Sequence, residues 1–349
     1  MREYFGTVAG NNALRQRLGR DIESGSFSHA YILEGPKGIG KSTLATELAT
    51  ALACQHLENG AFPLPCTECP SCHKIREGNS PDVIHIYREE GKSTMGVDVV
   101  RALRNDVITV PNDLSFKVYL IHDAHTMTTQ AQNALLLTLE EPPKFVLFFL
   151  LAEDAGALLE TIRSRAPILR MQPVSDEEMK HYLLARQPNK KLLQAATALE
   201  ASAPRELAAI LRMSGGRIGA AMELLDEQNR GPMLENRATV SGICHLLAQR
   251  TRPDELLIAL LAFGAKREEV STKLLLLESA LRDLLVLTYS EQAELLFFTD
   301  REEAGELCIR FTAHRLLKQI EAIRSTLAAL SANGNVRLLL VQLQNRLLA

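Results

Sequence analysis

The stretch Gly35-Pro36-Lys37-Gly38-Ile39-Gly40-Lys41-Ser42 decides the fold. It matches G-x-x-x-x-G-K-S, the loop whose backbone N–H groups wrap the phosphates of a nucleotide. An apolar run precedes the loop and a helical pattern follows it, as the motif requires. An ordinary glycine turn is the alternative interpretation. We expect the loop and the start of the helix to bind ATP or ADP with Mg²⁺, through Gly35, Gly38, Gly40, Lys41, Ser42 and Thr43.

Apolar runs alternate with helical patterns through the first half of the chain, which predicts a parallel sheet with helices on both faces. Lys41 would reach the outer phosphates and Ser42 would hold the magnesium ion. The predicted strands cover 30–35, 82–87, 117–124, 145–152 and 166–173. The predicted helices between them cover 12–23, 41–56, 96–107 and 128–140. The expected fold class is therefore an α/β P-loop domain.

Helical patterns take over after Pro173. Ser175 followed by Glu178 is a capping box that opens a helix, and Gly231-Pro232 marks a candidate boundary. Further helices are predicted over 190–200, 204–213, 218–228, 240–249, 253–263, 271–288, 311–331 and 336–348. We predict a P-loop domain over 1–173, a small helical domain over 174–230 and a helical bundle over 231–349.

Four of the six cysteines, Cys54, Cys66, Cys69 and Cys72, crowd into one short segment. Two of the gaps have the Cys-x-x-Cys spacing that lets thiolates converge on one tetrahedral ion. In a cytosolic chain such crowding favours a metal over disulfides. We predict a structural zinc module over 54–72, with a redox Cys-x-x-Cys pair as the alternative.

Three other residues bear on this prediction. His73 adjoins the cluster and is either a substitute ligand or an exposed bystander. Cys244 and Cys308 lie on apolar helical patterns and are expected in the core.

Charge and composition narrow the function classes. The formal net charge of -3 lacks the excess of Lys and Arg with which a protein binds nucleic acid alone, so we expect any DNA contact to be local or shared with partners. The longest apolar run, 145–152, is too short to span a bilayer, and the first residues lack the pattern of a signal peptide. We expect a cytoplasmic protein without a membrane partner.

The chain resembles the bacterial clamp-loader family, the gamma/tau and delta-prime subunits of DNA polymerase III. The resemblance covers about the first 230 residues and is carried by the P-loop, the cysteine cluster and four further stretches: Ser28-His29-Ala30-Tyr31, Phe116-Lys117-Val118-Tyr119-Leu120-Ile121, Asn133-Ala134-Leu135-Leu136 with Thr138-Leu139-Glu140-Glu141-Pro142-Pro143, and Ser164-Arg165. It implies an AAA+ ATPase domain, a three-helix lid and a collar through which five subunits form an open ring.

The departures from the family distinguish its members. Where hydrolysing subunits have Asp-Glu after the third strand, this chain has His122-Asp123. Imidazole is a poor Mg²⁺ ligand, and Asp123 is one methylene shorter than Glu, although it could take the metal role. An equal alternative is that both residues only end a strand. Glu153 replaces the usual Thr or Asn, and Gly219 the lid arginine, for which Arg217 could substitute if the helix start shifts.

Ser164-Arg165 is retained, and the family uses this arginine as the finger that reaches a neighbouring subunit's ATP. A surface arginine, or Arg163 as the finger, are the alternatives. These features favour the delta-prime branch, whose implied partners are the gamma/tau and delta subunits and, through the assembled complex, the sliding clamp and primer-template DNA.

Two rival readings remain. The first is a gamma/tau-like motor with Asp123 as the catalytic residue, and the second is a small-molecule P-loop kinase. Nothing in the sequence resembles a polymerase active site, although the family belongs to the DNA-directed DNA polymerase holoenzyme.

Overall fold

The computed structural model describes residues 2–60, 62–249, 252–290, 292–293, 295–332 and 334–348. The chain divides into two compact units. The first comprises residues 1–197 with 216–220, and the second comprises 198–215 with 221–349. None of the helices in the described residues combines the length and apolar character needed to cross a bilayer.

A parallel five-stranded sheet forms the centre of the first unit, in the order β2-β3-β4-β1-β5. Its strands are β1 Ala30–Glu34, β2 Val83–Ile86, β3 Lys117–Ile121, β4 Val146–Ala152 and β5 Ile168–Arg170. All five predicted strands are therefore confirmed. β2 is an edge strand and is only half-buried.

Helices cover both faces of this sheet. Alternate strand residues point to opposite faces. Leu33 and Leu120 pack with the helices over 12–23 and 41–52, whereas Ile32 and Ile121 pack with the helices over 97–107 and 129–140. The helices of the first unit are α1 Asn12–Glu23, α2 Lys41–Leu52, α3 Pro70–Arg76, α4 Val97–Val107, α5 Thr129–Glu140, α6 Glu160–Arg163 and α7 Asp176–His181, which continues as a π-helical turn over Tyr182–Arg186.

Local chemistry sets the helix ends. The hydroxyl of Thr128 accepts a hydrogen bond from the N–H of Ala131 at the start of α5, and Pro142 follows its last turn. Ser175 accepts from the N–H of Glu178 at 3.2 Å, so the predicted cap is confirmed. A buried carboxylate, Asp82, fixes the loop before β3 by accepting three backbone N–H groups, those of Asn112, Asp113 and Leu114.

Helices alone make up the regular structure in the described part of the second unit. They are α9 Pro204–Ser214, α11 Glu227–Gln249, α12 Pro253–Leu261, α13 Arg267–Leu287, α14 Arg301–Cys308, α15 Ala313–Ser331 and α16 Val336–Leu348, with α8 Lys190–Ser202 and α10 Ile218–Leu225 shared with the first unit. The expected helical bundle is present. α14 was not predicted, because its only deeply buried residues are Ala304 and Leu307.

Cys244 is buried in the core of this unit, as expected, whereas Cys308 is only half-buried and packs against that core. α11 runs without interruption through Gly231 and Pro232, the pair that marks the candidate boundary. The division into three domains stays a prediction.

Candidate functional site

The P-loop lies at the carboxyl edge of the sheet, between the end of β1 and the start of α2. Gly38 and Gly40 have φ of 81° and 105°, which favour glycine over any side chain. Gly40 caps α2, and Lys41, Ser42 and Thr43 form its first turn. Backbone N–H groups at a helix start are an anion-binding arrangement, so the local geometry suits phosphate.

The ammonium of Lys41 is turned back onto its own loop. Its Nζ donates hydrogen bonds to the carbonyl oxygens of Gly35 at 2.5 Å and Pro36 at 3.1 Å. Burial lowers the pKa of Lys41, and the carboxylates of Glu153 and Asp123 act in the opposite direction. Lys41 must leave its loop carbonyls to reach a phosphate.

The ends of β3 and β4 surround this loop. The N–H of Gly35 donates to the carbonyl of Ala152 at the end of β4. The next residue, Glu153, donates its backbone N–H to Nδ1 of His125 at 3.3 Å, which links the end of β4 to the single 3₁₀ turn Ala124–Thr126 after β3. Asp123 is exposed, and its backbone is in the left-handed conformation. Its carboxylate, like that of Glu153, interacts electrostatically with the ammonium of Lys41. The sheet edge thus brings together the sequence-predicted residues Lys41 and Asp123.

The surroundings of His122 do not suit a role in binding Mg²⁺. Its Nε2 lies 2.9 Å from Nδ1 of His85, and its ring stacks on Tyr87 with centroids 4.2 Å apart. Burial, and then the charge of His85, lower the pKa of His122 to about 4, while Asp123 opposes the shift. A neutral imidazole in a ring stack is a poor substitute for the carboxylate that would hold Mg²⁺.

Gly219 packs directly against the P-loop. Its N–H donates to the carbonyl of Gly38 at 2.7 Å, and a Cβ at Gly219 would lie 2.8 Å from Cα of Gly38. No arginine fits at this position without moving the backbone. α10 begins at Ile218, so Arg217 precedes the helix and Gly219 lies in its first turn against the loop.

A cavity of about 370 Å³ lies nearby in the same unit, and sequence reasoning missed it. Gly10 lines the cavity and packs on Val174. The backbone N–H of Val174 donates a hydrogen bond to the carbonyl of Gly216, three residues before Gly219. The other lining residues are Val8, Ala9, Asn12, Arg15, Glu177, Glu178, His181, Tyr182 and Arg186.

Arg165 lies two residues after the end of α6. Its Nη2 donates to Oε1 of Glu140 at 2.8 Å, and its Nη1 donates to the carbonyl of Thr161 at 2.9 Å. About a third of the side chain, 35%, remains exposed. Arg163, the alternative finger, is exposed.

The four clustered cysteines are all buried and converge. Sγ of Cys66 lies 3.9 Å from Sγ of Cys72, close to the edge of about 3.8 Å expected between two sulfurs of a tetrahedral zinc site. Backbone N–H groups of Cys66 and Cys69 donate to Sγ of Cys54 and Cys66. This donor set fits a structural metal.

Burial and hydrogen bonding shift the pKa values of three of the thiols in different directions. Burial raises the pKa of Cys72 and of Cys54. Burial also acts to raise the pKa of Cys69, but hydrogen bonds from the backbone of Gln55 and Cys72 outweigh it and bring that pKa to about 7. Cys69 is therefore deprotonated more easily than Cys54 or Cys72.

His56 is a donor that sequence reasoning missed. One ring nitrogen of His56 and the sulfurs of Cys54, Cys66 and Cys69 all lie within 4.8 Å of one another. His73 is exposed on α3 and does not belong to this group. The only sequence signal for His56 is its place two residues after Cys54.

Comparisons with known proteins agree on one family. The family model described as DNA polymerase III, delta subunit, matches residues 10–175. The DNA polymerase III gamma subunit of Buchnera aphidicola subsp. Acyrthosiphon pisum is 36% identical over 181 residues, which are 52% of this chain and 48% of that protein. The tau subunit of Escherichia coli is 33% identical over 225 residues, 64% of this chain and 33% of that protein.

One similar protein matches along nearly its whole length. The DNA polymerase III delta-prime subunit of Bacillus subtilis is 29% identical over 324 residues, 92% of this chain and 91% of that protein. By contrast, the chain spans about half the length, or less, of the gamma and tau relatives. These matches include the P-loop and the sheet that carries it, and they make the chain similar to the gamma, tau and delta-prime subunits of bacterial DNA polymerase III.

Proposed function

We propose that this chain is a clamp-loader subunit of the delta-prime type, which contributes Arg165 to the ATP bound by a neighbouring motor subunit. Residues 174–230 would form the lid, and 231–349 the collar through which the subunits assemble. Its partners would be the gamma/tau and delta subunits and, through the assembled complex, the sliding clamp and primer-template DNA.

The arrangement of Arg165 carries this proposal. An arginine finger must present a positively charged, oriented guanidinium at a surface where a neighbour's γ-phosphate develops negative charge. Glu140 and the Thr161 carbonyl orient Arg165 while leaving it partly exposed. Three of its five N–H donors bond to Glu140, the Thr161 carbonyl and the Ser164 hydroxyl, which leaves two for a phosphate.

The chain's own nucleotide site supports binding better than hydrolysis. ATP or ADP with Mg²⁺ would be held by the P-loop and the first turn of α2, and the 370 Å³ cavity would take the base. Three features oppose turnover. His122 is held neutral in a ring stack, Glu153 adds negative charge near Lys41, and Gly219 replaces an arginine.

The zinc site would have a structural role. Cys54, Cys66, Cys69 and Cys72 would hold the ion, and the chemistry the ion supplies is a cross-link between the end of α2 and the start of α3. Elemental analysis tests this proposal: about one zinc per chain is expected, lost in Cys69→Ser. A metal-free, fully folded protein would contradict it.

Reconstitution tests the function. The chain is mixed with gamma/tau and delta of the same organism, and complex formation, clamp loading and ATP hydrolysis are measured. We expect Arg165→Ala to leave the complex and this chain's nucleotide binding intact and to slow ATP hydrolysis by roughly 10³-fold at the neighbouring site. Arg163→Ala is the matched control and should hydrolyse at the normal rate. Unchanged turnover in Arg165→Ala would refute the finger.

The motor alternative predicts a different result. A gamma/tau-like subunit using Asp123 would hydrolyse ATP by itself, and Lys41→Ala would abolish that activity. Robust turnover by the isolated chain, with Arg165 dispensable in the complex, would replace the delta-prime proposal with the motor.

A further inference from the structure

The cysteine cluster holds more donors than one zinc ion needs. Structural zinc is four-coordinate and takes sulfur and nitrogen ligands. Here four buried thiols are joined by the imidazole of His56, which makes five candidate donors. One candidate must therefore stay outside the coordination sphere.

By their positions, the five donors fall into two groups. Three are suited to bind the ion in every case and are called the shared ligands, and two could replace each other and are called the exchangeable ligands. Cys54, Cys66 and Cys69 form the mutually close group with the ring nitrogen of His56. Cys72 approaches the group from the other element: its Sγ lies 3.9 Å from Cys66, and it also donates to the carbonyl of Thr50 at 4.0 Å. Cys72 thus has a protein partner that it can keep if it does not bind the metal.

Packing holds the ring of His56 beside the cysteines. Its ring stacks on Phe62 with centroids 4.4 Å apart and an angle of 27°, which fixes the ring plane. Its Nδ1 is buried and makes no hydrogen bond within the described part of the chain. A buried polar atom without a partner is costly, and a metal or a proton donor would satisfy it.

We propose that His56 and Cys72 are interchangeable fourth ligands of the zinc ion, completing the set formed by Cys54, Cys66 and Cys69. The inference rests on the proposed zinc site and adds a Cys₃His state to the Cys₄ state. Loss of either exchangeable ligand leaves a complete tetrahedral set, whereas loss of a shared ligand does not.

Zinc content of the purified, folded full-length chain tests the inference. Cys72→Ser keeps the size of the side chain and its hydrogen bond to Thr50, and serine is a poor zinc ligand. His56→Phe keeps the stacking on Phe62. We expect about one zinc per chain in each of these variants and almost none in the double variant. Cys69→Ser should lose zinc as a single change, and His73→Phe, at the exposed neighbouring histidine, should keep it.

Substitution with ¹¹³Cd reports the ligands directly. The ¹¹³Cd resonance of Cys72→Ser should move upfield from the wild-type position, because nitrogen replaces sulfur, and this measurement serves with Cys72→Ala if the serine variant does not fold. A folded Cys72→Ser protein without zinc would overturn the inference, and so would a double variant that retains zinc. Wild-type protein without zinc would instead refute the zinc site itself.

Discussion

Arg165 and Glu140 form an ion pair across 25 residues of sequence, with Nη2 of the arginine 2.8 Å from Oε1 of the glutamate. Glu140 is the last residue of α5, where the helix dipole disfavours a negative charge, so a nearby cation is stabilising there. The pair joins the Glu-Glu-Pro-Pro segment to the Ser-Arg segment. The guanidinium is thereby oriented before any neighbouring subunit is present.

Glu140→Ala should weaken the action of Arg165 without abolishing it. Both side chains are partly exposed, and exposed ion pairs contribute about 0.2–1 kcal/mol, so we expect a roughly 1.4- to five-fold lower kcat for ATP hydrolysis in the reconstituted loader. The KM for ATP should not change, because Glu140 does not contact the nucleotide in this proposal.

The same steady-state assay supplies the controls. Glu140→Gln, which keeps a hydrogen-bond acceptor, should recover part of the loss, and Glu141→Ala should hydrolyse normally. A Glu140→Ala loader as slow as Arg165→Ala, or as fast as wild type, would show that Glu140 does not position the finger in this way.

Gly219→Ala should loosen the contact between the start of α10 and the P-loop. Its Cβ would lie 2.8 Å from Cα and 3.1 Å from the carbonyl oxygen of Gly38, and backbone atoms cannot move aside cheaply. Overpacking of this kind costs about 1–3 kcal/mol. We expect a lower thermal unfolding midpoint and faster hydrogen exchange at the backbone amides of 38–40.

Gly96→Ala is the matched control, because a Cβ there meets nothing within 4 Å. It should leave both the unfolding midpoint and the exchange of the P-loop amides unchanged. Equal behaviour of the two variants would mean that the start of α10 yields to the added methyl group, and the close packing would then not explain why glycine stands at this position.

The sheet and the P-loop could be predicted because their signals are local. Five apolar runs and one glycine motif fix them almost without reference to the rest of the chain. Gly231 and Pro232 are also local signals. Both disfavour a helix interior, but a Cβ at Gly231 meets nothing within 4 Å, and α11 continues through the pair.

The contacts that define the candidate sites could not be predicted from the sequence. Gly219 contacts Gly38 only once the chain is folded, and no sequence pattern near either residue predicts this contact. Glu140 and Arg165 were each singled out with a motif, but their pairing depends on how α5 ends beside α6. His56 joins the cysteines because the loop after α2 folds back, a tertiary event that spacing does not encode.

The pair of histidines at the ends of β2 and β3 predicts a specific pH response. His122 should remain neutral until the pH approaches about 4, because burial and the neighbouring His85 disfavour its charged form. An unfolded chain protonates the same imidazole near pH 6.5. The unfolded state therefore binds more protons between about pH 6.5 and 4, so the contribution of His122 to stability falls as the pH is lowered through that window and levels off below it.

Proton and carbon NMR of ¹³C-labelled histidine measures this titration directly. His85→Ala should raise the pKa of His122 above about 4, but not to the value of a free imidazole, because burial is the larger cause of the shift. Tyr87→Phe retains the ring stack and should leave the pKa where it is. If the His122 resonance titrates near pH 6.5 in the folded protein, the imidazole is accessible and charged in weak acid, and its neutrality can no longer account for the poor Mg²⁺ site at the end of β3.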